Sequence, residues 1–497
     1  MAASFPKFGH PAFAWIALSP LIVATTLSGQ AGVRAARRRF ALGVVTGFVS
    51  FAGMLYWVVG VMATFGSLAL PVAALVGALF WAYLALYPGI FAVLVGFAIR
   101  RFGVSGIWLA PVFWVATEWA RSVVGTGFPW GLLGSSQAGV LPVVQLASVT
   151  GVYGLSALIV LVSTAAAALS LSRRRADRLG VAAVAALVIA VSVGGTLRLM
   201  SDALTRAGRV VRVGLLQGSV EQVEKWDPAY RDMILRRYLD LSQRAIGAGA
   251  EIVIWPEAST PFYFDAEGVL AEPVRRLAAQ TRTPFIIGTD EYRYGTDGGG
   301  DRIYNSAVVV GGDGKSHGTY RKMRLVPFGE YVPLKPLLFF VAPLVQAVSD
   351  FSPGTEPVVL NADGRRVSVA ICYESVYPWI ARAFVERGSQ LLGTITNDAW
   401  FGHSSAAYQH FAQGAIRAVE EGRYVVRAAN TGISGAVDPY GRVLLTTPLF
   451  EPEAVTVDVR LLDGRTIYSR VGDVVAWGAV AMTGLVLVVT FGSGRRQ

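Results

Sequence analysis

Along the first 200 residues, long uncharged stretches alternate with short basic clusters; near residue 205 the pattern changes to short apolar runs between amphipathic stretches. The long apolar runs fall at about 11–27, 41–61, 68–97, 106–122, 152–171, 179–198 and 473–491. Most approach the ~20 residues a helix needs to cross ~30 Å of hydrocarbon. They predict seven spans: a bundle of about six over residues 1–200, and a closing transmembrane helix over 472–492. The run 68–97 has no charge or strong turn, and Pro71 sits near its start, so it reads as one long tilted helix.

Residues 205–465 read as a folded α/β domain. Val210–Gln217, Glu251–Trp255, Phe285–Gly288 and Tyr304–Val310 carry strand patterns, as do Val367–Cys372, Leu391–Thr396 and Tyr424–Ala428. Helical patterns cover Ala229–Ile246 and the stretches around 376–387 and 405–421. The Gly311–Lys315 turn predicts a hairpin between 304–310 and the segment from Gly318.

Composition agrees with a membrane protein. Of 497 residues, 53% are hydrophobic and only 15% charged, against ~25% in an ordinary globule. The net charge of +11 sits largely in Arg clusters beside the apolar runs, at 37–39, 100–101, 173–175 with 178, and 495–496. That distribution orients spans and is not a nucleic-acid groove. With each cluster on the cytoplasmic side, residues 200–472 face outward and the C-terminus inward.

Three ionisable residues stand at the ends of apolar strands, where α/β sheets commonly place functional groups. Glu257 follows Ile252–Pro256, Lys322 precedes Pro327-Phe328-Gly329-Glu330, and Cys372, the lone cysteine, ends Val367–Ile371. A lone thiol is either a small buried core residue or a reactive group. The four histidines, at 10, 317, 403 and 410, show no metal-ligand spacing. Glu118 and Arg121, at helical spacing in the fourth apolar run, predict a structural ion pair.

WPE at 255–257, Lys322 with FGE eight residues on, and ICYE at 371–374 resemble, in order and spacing, the nitrilase (carbon–nitrogen hydrolase) superfamily. With the spans, and with Gly127-Phe128-Pro129-Trp130, Gln217-Gly218, Trp226 and Asn397–Gly402, the whole chain resembles its apolipoprotein N-acyltransferase branch. The resemblance implies a polytopic α-helical membrane bundle plus an α-β-β-α sandwich in the bacterial inner membrane, catalytic domain outward. It implies acyl transfer from a phospholipid, through a Cys thioester, to the N-terminal amine of a diacylglyceryl-cysteine apolipoprotein. Cys372 is then the nucleophile, Glu257 the general base and Lys322 the cation for thiolate and oxyanion. Glu330, Tyr373 and Glu374 become active-site supports, with Glu330 orienting Lys322. Trp226, Phe128, Trp130, Trp400, Phe401, Phe339 and Phe340 become lipid-contact candidates, the last two on a lid or arm over Leu334–Val348. No cofactor, metal or nucleic-acid partner is expected, and nothing demands more than a monomer. A membrane-tethered amidase with the same triad and a transporter with an outer regulatory domain are the alternative readings; the span count argues against the first, the lack of paired interrupted helices against the second. The family has eight spans and this sequence seven, so an upstream helix lost to a late start codon is expected over a natural variant beginning outside.

Overall fold

The computed structural model describes residues 1–28, 32–295, 300–331 and 350–492. Two compact units emerge: Met1–Ala63 with Leu68–Ser201 and Arg470–Gln497, and Thr64–Ser67 with Asp202–Ser469.

The first unit is helical. By length and apolarity, Leu70–Val123, Ala147–Leu171 and Arg175–Arg206 are able to cross a membrane, and Val33–Met54 with Trp57–Thr64, bent by 57°, makes a fourth candidate. The predicted runs 68–97 and 106–122 both lie in Leu70–Val123. Its first helix, Leu70–Phe102, runs on through Pro88 as one element of 33 residues. The runs 11–27 and 473–491 form shorter apolar helices, Pro11–Leu27 and Val474–Thr490. Glu118 and Arg121 are both buried, and each holds a loop backbone. Glu118 Oε1 accepts from Leu133 N at 2.6 Å, and Arg121 Nη1 donates to the carbonyls of Phe128 and Trp130 at 2.7 and 2.8 Å.

The second unit is a sandwich of two six-stranded sheets with helices outside. The first sheet uses β1 (Arg209–Gln217), β2 (Ile252–Ile254), β3 (Phe285–Arg293), β4 (Arg302–Val310) and β5 (Ser316–Arg321). The second uses β6 (Leu360–Ala362), β7 (Arg365–Ile371), β8 (Leu391–Thr396), β9 (Val425–Ala429), β10 (Gly435–Val437) and β11 (Val443–Thr446). The last strand, β12 (Glu453–Leu461), returns to pair with β1, giving the orders β12-β1-β2-β3-β4-β5 and β11-β10-β9-β8-β7-β6. Each sheet has a parallel centre, β1-β2-β3 or β7-β8-β9, with antiparallel margins.

The centre strands are apolar throughout because both faces are covered. Ile252, Val253 and Ile254 are fully buried. Helices Arg231–Gly247 and Gly268–Thr281 cover the first sheet, packing Ile234, Tyr238, Leu241 and Val274 against Val253, Trp255 and Phe285. Pro378–Glu386 and Ala406–Glu421 pack against the second. The expected hairpin forms as β4 and β5, with a bulge at Val309/Val310. The helix Gly268–Thr281 and strands β6, β10, β11 and β12 are elements the sequence patterns had not indicated.

Candidate active site

Parallel sheet centres put strand C-termini at one edge, and the three expected residues gather there. Glu257 follows β2 by three residues. Its loop crosses β3 where only glycine fits: a Cβ on Gly288 would stand 2.1 Å from Pro256 O and 2.7 Å from Glu257 Cα. Lys322 follows β5, its N–H donating to Asn305 O on β4 at 2.8 Å. Cys372 directly follows β7 and opens the short 3₁₀ turn Cys372–Val376. Its φ of +52° lies in the left-handed region that side chains bearing a Cβ seldom adopt.

The charged groups are sealed from water and joined. Lys322 Nζ lies 3.2 Å from Glu257 Oε1 and 2.8 Å from Glu330 Oε1. Asn305 Nδ2 donates to the same two oxygens, at 2.7 and 3.0 Å. Asn397 N donates to Glu257 Oε2 and Val326 N to Glu330 Oε2, at 2.8 and 2.7 Å. Lys225, also buried, donates to the carbonyl of Glu257 at 3.2 Å.

Burial favours the neutral forms, and mutual attraction overrides it for the pair. Burial lowers the Lys322 ammonium, yet Glu257 and Glu330 hold it well above its ordinary range. Burial raises Glu257, yet Lys322, the Asn305 hydrogen bond and Lys225 hold it low. The thiol goes the other way. Burial pushes Cys372 up and Glu257 adds to the rise, which Lys322 opposes without cancelling. Lys322 lowers the thiol as expected of a neighbouring cation, but burial, with Glu257 and Asp398, outweighs it. Burial above all, and the Glu257 carboxylate after it, disfavour a free thiolate.

Glu374 lies under this edge as a brace. Its Oε1 accepts from Met323 N and Arg324 N at 2.7 and 3.1 Å, its Oε2 from Ile371 N at 2.8 Å, and Tyr320 Oη lies 2.8 and 2.9 Å from the two oxygens. One carboxylate thus ties the backbone after Lys322 to the residue before Cys372. Tyr373 is buried, its ring edge-on to Tyr377 at 5.2 Å.

The other expected residues scatter. Trp226 is 44% exposed, 6.4 Å from the Tyr263 ring. Trp400 packs edge-on to Phe65 at 4.8 Å, and Phe401 edge-on to His410 at 6.1 Å. In the helical unit Phe128 meets Phe80 at 5.1 Å. Trp130 is a correction: only 2% exposed, it packs on Trp57 at 5.2 Å with its carbonyl held by Arg121, a place in the helical core and not on a lipid face. Phe339 and Phe340, with Leu334–Val348, lie outside the described residues. The basic neighbours of Lys322 are engaged elsewhere: Arg321 forks onto Glu291 at 2.7 and 3.0 Å, and Arg324 lies over the Tyr377 and Trp379 rings. Asn305 and Lys225 drew no notice in the sequence; the one visible signal was a polar Asn inside an apolar strand.

Comparison with known proteins adds the following. The carbon-nitrogen hydrolase family model matches residues 212–467, and that of the apolipoprotein N-acyltransferase N-terminal domain matches residues 1–165. The apolipoprotein N-acyltransferase of Geobacter metallireducens is 39% identical over 494 residues, covering 99% of this chain and 93% of the relative. That of Methylococcus capsulatus is 33% identical over 499 residues, covering 99% and 94%. Among solved structures, an amidase from Nesterenkonia sp. aligns at 21% identity and a TM-score of 0.39, over 52% of this chain and 93% of its own.

Proposed function

Because this chain belongs to the apolipoprotein N-acyltransferase family, within the carbon-nitrogen hydrolases, we propose that it carries an acyl chain on Cys372 as a thioester. The donor is a membrane phospholipid and the acceptor the N-terminal amine of a diacylglyceryl-cysteine lipoprotein. The observation that supports this reading best is the lone cysteine on its left-handed turn, within the electrostatic reach of the sealed Glu257–Lys322–Glu330 cluster.

In the resting site the thiol keeps its proton. Glu257 takes that proton as Sγ attacks the ester carbonyl, so no free thiolate has to form in this buried site. Protonating Glu257 leaves Glu330 alone against Lys322, and the ammonium becomes free to meet the oxyanion together with a backbone N–H near Cys372. Collapse breaks the ester C–O bond, and Glu257 returns its proton to the departing lysophospholipid alkoxide. In the second half the acceptor amine attacks the thioester, Glu257 receives the amine proton, and the C–S bond breaks with the proton passing back to sulfur. Burial excludes the water that would hydrolyse the thioester.

Under this reading the sandwich stands on the outer side of the bacterial inner membrane, the C-terminus is cytoplasmic, and one chain suffices. Trp226, Trp400, Phe401 and Phe128 are the lipid-contact candidates. The test supplies the reconstituted protein with phospholipid bearing a labelled acyl chain and a diacylglyceryl-cysteinyl peptide. The label is expected in an amide at the peptide N-terminus. Label released only as free fatty acid, or turnover of small amides with an unlabelled peptide, would favour the amidase reading instead.

A further inference from the structure

Beneath Cys372 lies a second buried polar cluster that takes no part in the proton transfers of acyl transfer. His410, on the second turn of helix Ala406–Glu421, places Nε2 at 3.0 Å from the Cys372 carbonyl oxygen and 2.9 Å from Ser375 Oγ. Its Nδ1 lies 2.9 Å from Arg427 Nη2 and 3.1 Å from Asp398 Oδ1. Arg427 Nη2 also donates to Asp398 Oδ2 at 2.7 Å, and Thr396 Oγ1 donates to Asp398 Oδ1 at 2.8 Å. A Cβ on Gly432 would come 2.3 Å from Asp398 Oδ2, so the chain passes hard against the carboxylate.

The connectivity Ser375–His410–Asp398 is that of a serine-hydrolase triad, but the environment gives it another task. His410 and Asp398 are at most 1% exposed, Arg427 3% and Ser375 4%. Ser375 Oγ donates at 3.0 Å to the Cys372 carbonyl. Nδ1 faces both the Arg427 donor and the Asp398 acceptor, whereas the Cys372 carbonyl can only accept, which assigns an imidazole proton to Nε2 for that contact. Burial first and Arg427 second favour the neutral ring. The Asp398 and Arg427 charges cancel, so the cluster brings two hydrogen-bond donors to the nucleophile's backbone without adding net charge.

We propose that His410, oriented by Asp398 and Arg427, is a positioning residue for Cys372: with Ser375 it clamps the Cys372 carbonyl and so holds the strained left-handed turn that aims the thiol. The strain is what requires a clamp. A left-handed Cβ-bearing residue persists only when its surroundings over-determine it, and a carbonyl held by Ser375 from its own turn and by His410 from the helix Ala406–Glu421 leaves the peptide plane no freedom to flip.

The inference rests on Cys372 being the nucleophile, so its test reads thiol reactivity apart from acyl transfer. In the full-length protein, His410→Leu and His410→Gln are compared by Cys372 alkylation with iodoacetamide, and by kcat and KM with phospholipid. The glutamine amide N–H₂ retains a donor toward the Cys372 carbonyl, and leucine removes it. His410→Leu is expected to lower both alkylation and kcat by about 10²-fold with KM within about twofold, as for a displaced reactive group, and His410→Gln to recover most of the loss. Wild-type rates in His410→Leu, or equal loss in both variants, would overturn the proposal. If His410→Leu does not fold, Ser375→Ala removes the other donor: a several-fold lower alkylation rate is expected, and an unchanged one overturns the clamp. If alkylation follows the Leu/Gln order while wild type forms no acyl adduct, the clamp stands and the acyl-transfer reading falls.

Discussion

Two buried charge clusters flank Cys372, and they are built to opposite ends. The one formed by Glu257, Lys322, Glu330 and Asn305 sets two carboxylates on the Lys322 ammonium, with Lys225 against the Glu257 backbone, and its charge balance changes as a proton moves. The one formed by Asp398, His410 and Arg427 is balanced, and it touches the backbone of Cys372. A cluster whose charge balance shifts responds to protons; a balanced one holds shape. One buried environment supports both because each charge is paired or hydrogen-bonded, without which burial would be prohibitive.

The comparison breaks hardest at Lys322. Lys322→Met removes the oxyanion partner, and turnover is expected to fall ~10²–10³-fold. It also takes from the buried Glu257 the cation that most strongly holds its carboxyl low, so burial then favours its protonated form. Melting temperature should therefore drop more at pH 8 than at pH 5. Near-normal turnover would contradict the role assigned to Lys322, since Arg321 and Arg324 are already engaged with Glu291 and with aromatic rings.

A smaller effect sharpens the comparison at Asp290. Its position on β3 pairs with Asn305 on β4, and burial, reinforced by repulsion from Glu257 and Glu330, lifts its carboxyl from 3.8 to about 7. Between those values the folded state holds a proton that the unfolded chain has lost. The contribution of this carboxyl to stability is whole below about pH 4 and is lost as pH rises through about 7, by at most about 1.4 kcal/mol per pH unit. Asp290→Asn should remove that slope, making the melting temperature fall less than wild type between pH 4 and 7. Parallel melting curves would show that Asp290 is not desolvated in the fold.

Much of this was legible in the sequence because strand ends announce themselves. The apolar runs before Glu257 and Cys372 marked strands, and the turn Gly311–Lys315 marked the β4–β5 hairpin. What stayed hidden depends on pairing across long distances. Asn305 reads as a stray polar residue until β3 and β4 bring it beside Glu257, and β12 becomes a strand only through β1, some 250 residues earlier. His410 lies 38 residues from Cys372 inside an amphipathic helix whose buried face looks like ordinary core. The direction of the thiol's shift was hidden too, because it depends on how completely the fold buries Cys372 beside Glu257. Trp130 looked interfacial by residue type, and only the packing of Trp57 on it reveals core.

The central claim is that Cys372 carries the acyl group, and intact-mass analysis after incubation with phospholipid alone tests it most directly. The account predicts a mass increase equal to one acyl chain, located on the peptide containing Cys372, removed by neutral hydroxylamine and absent from Cys372→Ala. An adduct that persists in Cys372→Ala, or that resists hydroxylamine, would contradict it.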